Sequence, residues 1–235
     1  MKKYELTTET LQFAGLTLHK IKAVKNFGSV KAGELGGWIE SEENLSQADN
    51  AWVYNNAKVF DKARVYGDAA VSDDAKVCGY AAVYDNARVC DNAAVSDNAR
   101  VCDNAEVSDY VEVFENAIVL GHAKVCGFTR IFGNAIVLGN AILFGHAKVY
   151  GKATINGDAK VYDAVDYIVF KNFWSSGRYF TWTRSNNKWS VGCFYGTGEE
   201  LIKKAYADSD TSGREYERVV RYVESILADE QKKNN

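Results

Sequence analysis

The residues with the most chemistry in this 235-residue chain are three histidines and five cysteines. A neutral imidazole takes up a proton near neutral pH, so His122 and His146 are the first groups to test as general bases. Neither falls in a motif that would make it one. No Ser/His/Asp or HExxH spacing occurs, and no glycine-rich phosphate loop precedes a helix. Cys78, Cys90, Cys102 and Cys126 lack the paired CxxC spacing of zinc sites, so no metal site and no resident cofactor are expected. An odd number of cysteines in a long chain suits reduced thiols and a cytoplasmic protein. A third group is aromatic and cationic. The segment FWSSGRYFTWTRSNNKW holds Trp174, Arg178, Tyr179, Trp182 and Arg184, a mixture able to stack on a base and hold a phosphate.

What positions these residues is a repeat. From Ala51 to Ala164 the chain reads as nineteen hexads of the form A-x-V-x-[D/G]-[N/x], with no insertion. Positions one and three lie two apart, so both face one side of a strand. Ala beside Val, Ile or Leu fills a narrow interior. Position five is Asp, Asn or Gly everywhere except Glu115, and these residues accept turn conformations. Each hexad is therefore a short strand plus a corner, and three hexads close a triangular coil. An amphipathic helix is excluded because the apolar spacing alternates between two and four without drift. Cys78, Cys90, Cys102 and Cys126 share position four of the repeat. His122 and His146 share position six, on different corners, which reads as a structural placement.

The composition agrees. There is no proline, as suits a chain in which nearly every residue joins a ladder. A net charge of -3 gives no global field for nucleic acid or an acidic membrane. No apolar run reaches the roughly 18 residues of a membrane helix, and MKKYELTTET lacks the apolar region of a signal peptide.

The ends differ from the repeat. Tyr4–Leu6, Leu11–Phe13 and Leu16–Ile21 read as strands around a turn at Ala14-Gly15. GELGGWIESEENLS reads as an irregular first coil with Ile39 and Leu45 inward. After Ala164, Tyr167–Phe170, Tyr179–Thr183 and Trp189–Phe194 predict a small antiparallel sheet. Capping boxes at Thr197-x-x-Glu200 and Ser212-x-x-Glu215 predict the starts of two helices, and DEQKKNN is expected to fray. The expected fold is mainly β, with an N-terminal β cap over 1–44, a β-helix of about six coils over 45–164, and a C-terminal α+β domain over 165–235.

The hexads resemble those of hexapeptide-repeat proteins, which implies a single-stranded left-handed parallel β-helix. ELTTET, GELGGWIE and GCFYGTGEEL, together with the NA-x-V hexads, resemble uncharacterised phage and prophage hexapeptide-repeat proteins. That resemblance implies a phage source and the cytoplasm of an infected bacterial host. It points to a non-enzymatic interaction protein that binds and inhibits a host factor such as an antiviral defence protein. Two alternatives stand beside it. One is a hexapeptide-type acyltransferase, with an acyl-donor groove between prisms near His122 or His146; the lack of an inserted loop counts against it. The other is a nucleotide-binding sponge using the aromatic and arginine-rich C-terminal sheet.

The outward columns carry the rest. Stacking every third hexad makes Ile118, Leu120, Ile136, Leu138, Ile142 and Phe144 a contiguous exposed apolar patch, which marks a contact surface. A homo-oligomer, dimer or trimer, and a host protein partner are expected from it; nucleic acid and membrane are not. Charge is also divided. Residues 57–115 carry 6 basic and 12 acidic groups, whereas residues 116–164 carry 5 basic and 2 acidic ones. An acidic edge of this kind is either turn chemistry or a mimic of a nucleic-acid backbone.

Overall fold

A computed structural model describes residues 2–234. The chain forms a parallel β-solenoid closed at its N-terminal end by a hairpin and at its C-terminal end by a four-stranded sheet with two helices. The hairpin pairs β1 (Tyr4–Phe13) with β2 (Leu16–Ala23). Strand β2 then pairs antiparallel with β3 (Leu35–Ile39), which is the first rung of one solenoid face.

Each hexad contributes a two-residue rung, and rungs eighteen residues apart stack in parallel. Three faces result, best named by an early rung. The Lys58 face follows β3. The Arg64 face runs Arg64–Val65, Ala82–Val83, Arg100–Val101, Ile118–Val119, Ile136–Val137 and Thr154–Ile155. The Trp52 face runs from Trp52–Val53 to Lys160–Val161. Leu45 bridges to Val65 above the Arg64 face, so the irregular first coil adds a rung to the six regular ones. The Ala and Val columns are buried from Ala51 to Val161 and form one continuous core, as their sizes require. Thr129 interrupts the Ala column, and its hydroxyl is satisfied by Cys126 O at 2.8 Å.

The backbone ladder has a direction. Rung N–H groups donate to carbonyls in the following coil, as from Lys58 N to Ala75 O and from Arg100 N to Ala117 O. Carbonyls are therefore left over at the N-terminal end and N–H groups at the C-terminal end, and buried orphans of either kind are costly. The caps supply the missing partners. The Lys3 ammonium, almost fully buried, donates to Ala48 O and Ala51 O, while Asn44 Nδ2 donates to Asp61 O and Ala63 O. Burial lowers the Lys3 pKa to about 8. At the other end Thr154 N donates to Thr181 Oγ1, Lys160 N to Ser185 Oγ and Tyr162 N to Asp166 Oδ2.

Corners take a left-handed residue at position five, with φ near 57–61° at aspartates such as Asp61, Asp73 and Asp97, and 68–75° at the glycines from Gly121 to Gly157. In the first half the carboxylate at this position accepts an N–H from the corner one coil on: Gly79 N to Asp61, Asp109 N to Asp91, Gly121 N to Asp103. The acidic edge is thus turn chemistry within the fold.

The C-terminal sheet differs from expectation in one strand. Trp189–Phe194 divides into Lys188–Val191 and Phe194–Gly196, because Gly192, at φ 56°, turns the chain back into a hairpin. Helix α1 (Gly198–Asp208) starts at the Thr197/Glu200 capping box. Helix α2 (Asp210–Asn234) begins before the second expected box; Ser209 Oγ accepts from Ser212 N and serves as its cap. The tail continues the helix to Asn234, with Lys232 paired to Asp229, and Asn235 lies outside the described residues.

The glycine corners test the stacking directly. A Cβ on Gly139 would lie 2.7 Å from Gly157 N, whereas one on Gly151 would meet nothing, although φ is 74° and 71° at the two sites. Gly151→Ala should cost only the left-handed penalty, roughly 1–2 kcal/mol. Gly139→Ala should cost more by urea unfolding, and equal losses would contradict close stacking of the corners.

Candidate functional site

The structure places the six apolar residues together. Ile118 and Ile136 are rung neighbours on the Arg64 face, with Leu120 and Leu138 in the adjoining column. Ile142 and Phe144 lie around the next corner on the Trp52 face, where the Phe144 ring meets Tyr162 edge-on at 5.2 Å. All six are half-buried and none is enclosed. The C-terminal sheet caps the end of the solenoid through Thr154 and Lys160.

The corner between the two halves of this patch carries Asn140, and His122 lies one coil earlier on the same corner, between Leu120 and Lys124. The backbone at His122 is held from both sides: Gly121 N donates to Asp103 Oδ2 at 2.9 Å, and His122 N donates to Gly139 O at 2.7 Å. Its side chain is exposed and makes no hydrogen bond or ion pair among the described residues. Leu120 and Leu138 lie on one side. Lys124, paired with Glu106 at 3.3 Å, and Ile142 lie on the other. The result is an imidazole on rigid backbone, beside an aliphatic wall, with a cation next to it. Chemically it can accept a proton from a bound hydroxyl or amine.

His146 is placed differently. Its ring stacks on Phe128 at 5.3 Å, which stacks on Tyr110 at 5.1 Å. It completes an aromatic ladder on the corner that leads into the Lys58 face, as its structural reading implies. His19 is half-buried in β2.

The aromatic and cationic C-terminal set is dispersed. Trp182 is buried against the helices, with its Nε1 on Asn187. Trp174 is 79% exposed on a hairpin loop. Arg184 is held by Glu230 at 2.7 Å, which raises its pKa. Arg178 borders a cleft with Cys193 and Lys204, and Tyr179 lies under Lys152 and Lys171. Alternation along one strand sends neighbours to opposite faces, so closeness in sequence does not make these five residues one site.

All five cysteines are free thiols. Two clusters, Asp73/Cys90/Asp91 and Asp85/Cys102/Asp103, have ligand atoms within 4.8 Å of one another. Their carboxylates are already engaged by backbone N–H groups one coil on, as from Asp109 to Asp91 and from Gly121 to Asp103. Burial, reinforced by Asp91, pushes the Cys90 thiol up to about 12.

The chain is a hexapeptide-repeat β-helix protein. No family model matches it. A curated protein of Escherichia coli (strain K12), named as the uncharacterized acetyltransferase YdcK, is 38% identical over 69 residues, covering 26% of this chain and 21% of its own length. The chain thus spans about a fifth of the relative it matches. This match overturns the expectation of a non-enzymatic phage inhibitor of a host factor, and with it the expectation of no enzyme. The physical reason lies in the corner geometry. The lack of an inserted loop counts against catalysis only where a loop is needed to present a side chain, and the corner held by Gly121 N on Asp103 and His122 N on Gly139 exposes an imidazole without one. No helix among the described residues is long and apolar enough to cross a membrane.

Thiolate is the reactive form of cysteine, so alkylation should discriminate among these sites. Iodoacetamide at pH 8 should modify exposed Cys193 well before Cys90 or the buried Cys102. Equal rates by peptide mass spectrometry would contradict the described packing.

Proposed function

We propose that the chain is an acyltransferase of the hexapeptide-repeat class, with His122 as its general base. The observation that carries this reading is the position of His122: an exposed, unengaged imidazole on a fixed corner at the edge of the apolar patch. The likeness to YdcK supports it. An acyl thioester would lie with its acyl end against Leu120 and Leu138. His122 takes the proton of the acceptor hydroxyl or amine as that oxygen or nitrogen attacks the thioester carbonyl. The carbon–sulfur bond then breaks, and the proton passes to the leaving thiolate. The aliphatic wall excludes water that would otherwise hydrolyse the thioester. Lys124, two residues on in the same coil, favours the negative charge that develops on the carbonyl oxygen.

The test is acetyl-coenzyme A with a panel of hydroxyl and amine acceptors, following free coenzyme A by chromatography, since Cys193 would consume a thiol reagent. His122→Ala should lower the rate by about 10²–10⁴-fold, the contribution of a positioned base. His146→Ala should leave it within a few-fold. Equal rates for wild type and His122→Ala would exclude this assignment.

We also propose that the patch joins copies of the chain as a dimer or trimer, and, on the GELGGWIE and GCFYGT segments, that the source is a phage or prophage. Leu120→Asp with Leu138→Asp should reduce the mass measured by light scattering at micromolar concentration. A wild-type monomer would contradict the oligomer.

A further inference from the structure

The Arg64 face carries a second feature at its other end. Tyr66 and Tyr84 stack at 4.9 Å with their planes 3° apart. This ladder stops short at its N-terminal end. Leu45 pairs with Val65, so the residue over Tyr66 is Ser46, which has no ring to continue the stack. The corner after Ser46 also holds four residues, 47–50, where later corners hold two. A recess of about 670 Å³ opens there, lined by Ser46, Gln47, Arg64, Tyr66, Tyr84 and Arg100 among others.

The neighbouring column runs Arg64, Ala82, Arg100 in register. The two arginines are two rungs apart, about 10 Å along the axis. Both are exposed, and neither makes an ion pair among the described residues. Ala82 between them leaves a notch bounded by two guanidinium groups, which suits a phosphate. The rim holds acceptors. Glu42 is taken by Lys2, whereas Glu43 and Asp49 border the recess.

We infer that this recess binds a nucleoside diphosphate. The base stacks on the open face of Tyr66, in the place the ladder leaves empty. The phosphates lie over Ala82 between Arg64 and Arg100. Sugar hydroxyls or a ring amine meet Glu43 and Gln47. The stacking slot and the notch are two rungs apart, about 10 Å, so the second phosphate reaches the notch better than the first. The same group occurs as a free nucleotide and as the nucleotide end of coenzyme A.

Isothermal titration of the full chain with ADP, AMP, inorganic phosphate and coenzyme A tests this. ADP should bind with a submillimolar Kd, and AMP about tenfold more weakly. Arg64→Ala, Arg100→Ala and Tyr66→Ala should each weaken ADP binding at least tenfold. Arg88→Ala on the Trp52 face and His122→Ala should leave it unchanged, so the recess and the catalytic assignment succeed or fail separately. Coenzyme A binding as tightly as ADP would identify the nucleotide end of an acyl donor as the source. Binding of ADP with exclusion of coenzyme A would identify a free nucleotide. The inference is overturned if ADP at millimolar concentration releases no heat, if the three variants bind it unchanged, or if phosphate alone binds as tightly.

Discussion

The structure depends on a hydrogen-bond ladder that runs one way. Each rung donates its N–H to the coil that follows, and it can do so only if each coil is a near copy of the last. An insertion within a rung or a bulky inward residue would disturb the stacking there, whereas extra residues at a corner, as at 47–50, leave the later rungs in register. This constraint explains the monotony of the inward columns, the lack of proline, and the two chemically opposite caps. Donors from Lys3 and Asn44 are needed at the N-terminal end, and acceptors from Thr181, Ser185 and Asp166 at the C-terminal end. Chain ends that look unrelated in sequence are complementary solutions to the same problem.

Side chains that serve the ladder are unavailable for function, and that separates the two halves of the solenoid. Corner aspartates in the first half accept backbone N–H groups from the next coil. They look like an acidic surface and act as turn residues. In the second half, glycine holds the corners and the outward columns turn apolar, leaving His122 with no structural duty. His146, in the same repeat position, is absorbed into a ring stack. Equal repeat positions therefore have unequal chemistry, decided by the residues eighteen before and after.

Much of this was legible from the repeat. The alternation of small and branched residues specified the coil, and the eighteen-residue stacking placed Ile118, Leu120, Ile136 and Leu138 together. What escaped was what lies around a corner. A column reading treats each face alone and puts His122 on a corner, but it does not show that Leu120 and Leu138 flank that corner on one side and Lys124 and Ile142 on the other. The recess beside Tyr66 escaped for a related reason. The first coil pairs Leu45 with Val65, an offset of twenty residues that the regular repeat does not announce. At the C-terminal end, the glycine hairpin at Gly192 and the Ser209 cap were hidden by the strand-like spacing of Trp189, Val191 and Phe194 and by a stronger-looking capping box. The grouping of Trp174, Arg178, Tyr179, Trp182 and Arg184 was a grouping in sequence only, since strand alternation and the loop at Trp174 disperse them.

The acyl transfer proposed for this chain depends on one corner and the two faces that meet there. With only three histidines, each ring can be followed separately in a carbon–proton correlation spectrum. Titration with acetyl-coenzyme A is the direct measurement. The His122 ring signals should move in a saturable way, while those of His19 and His146 stay in place. Movement of His146 or His19 with His122 unchanged, or no movement at all, would contradict the assignment.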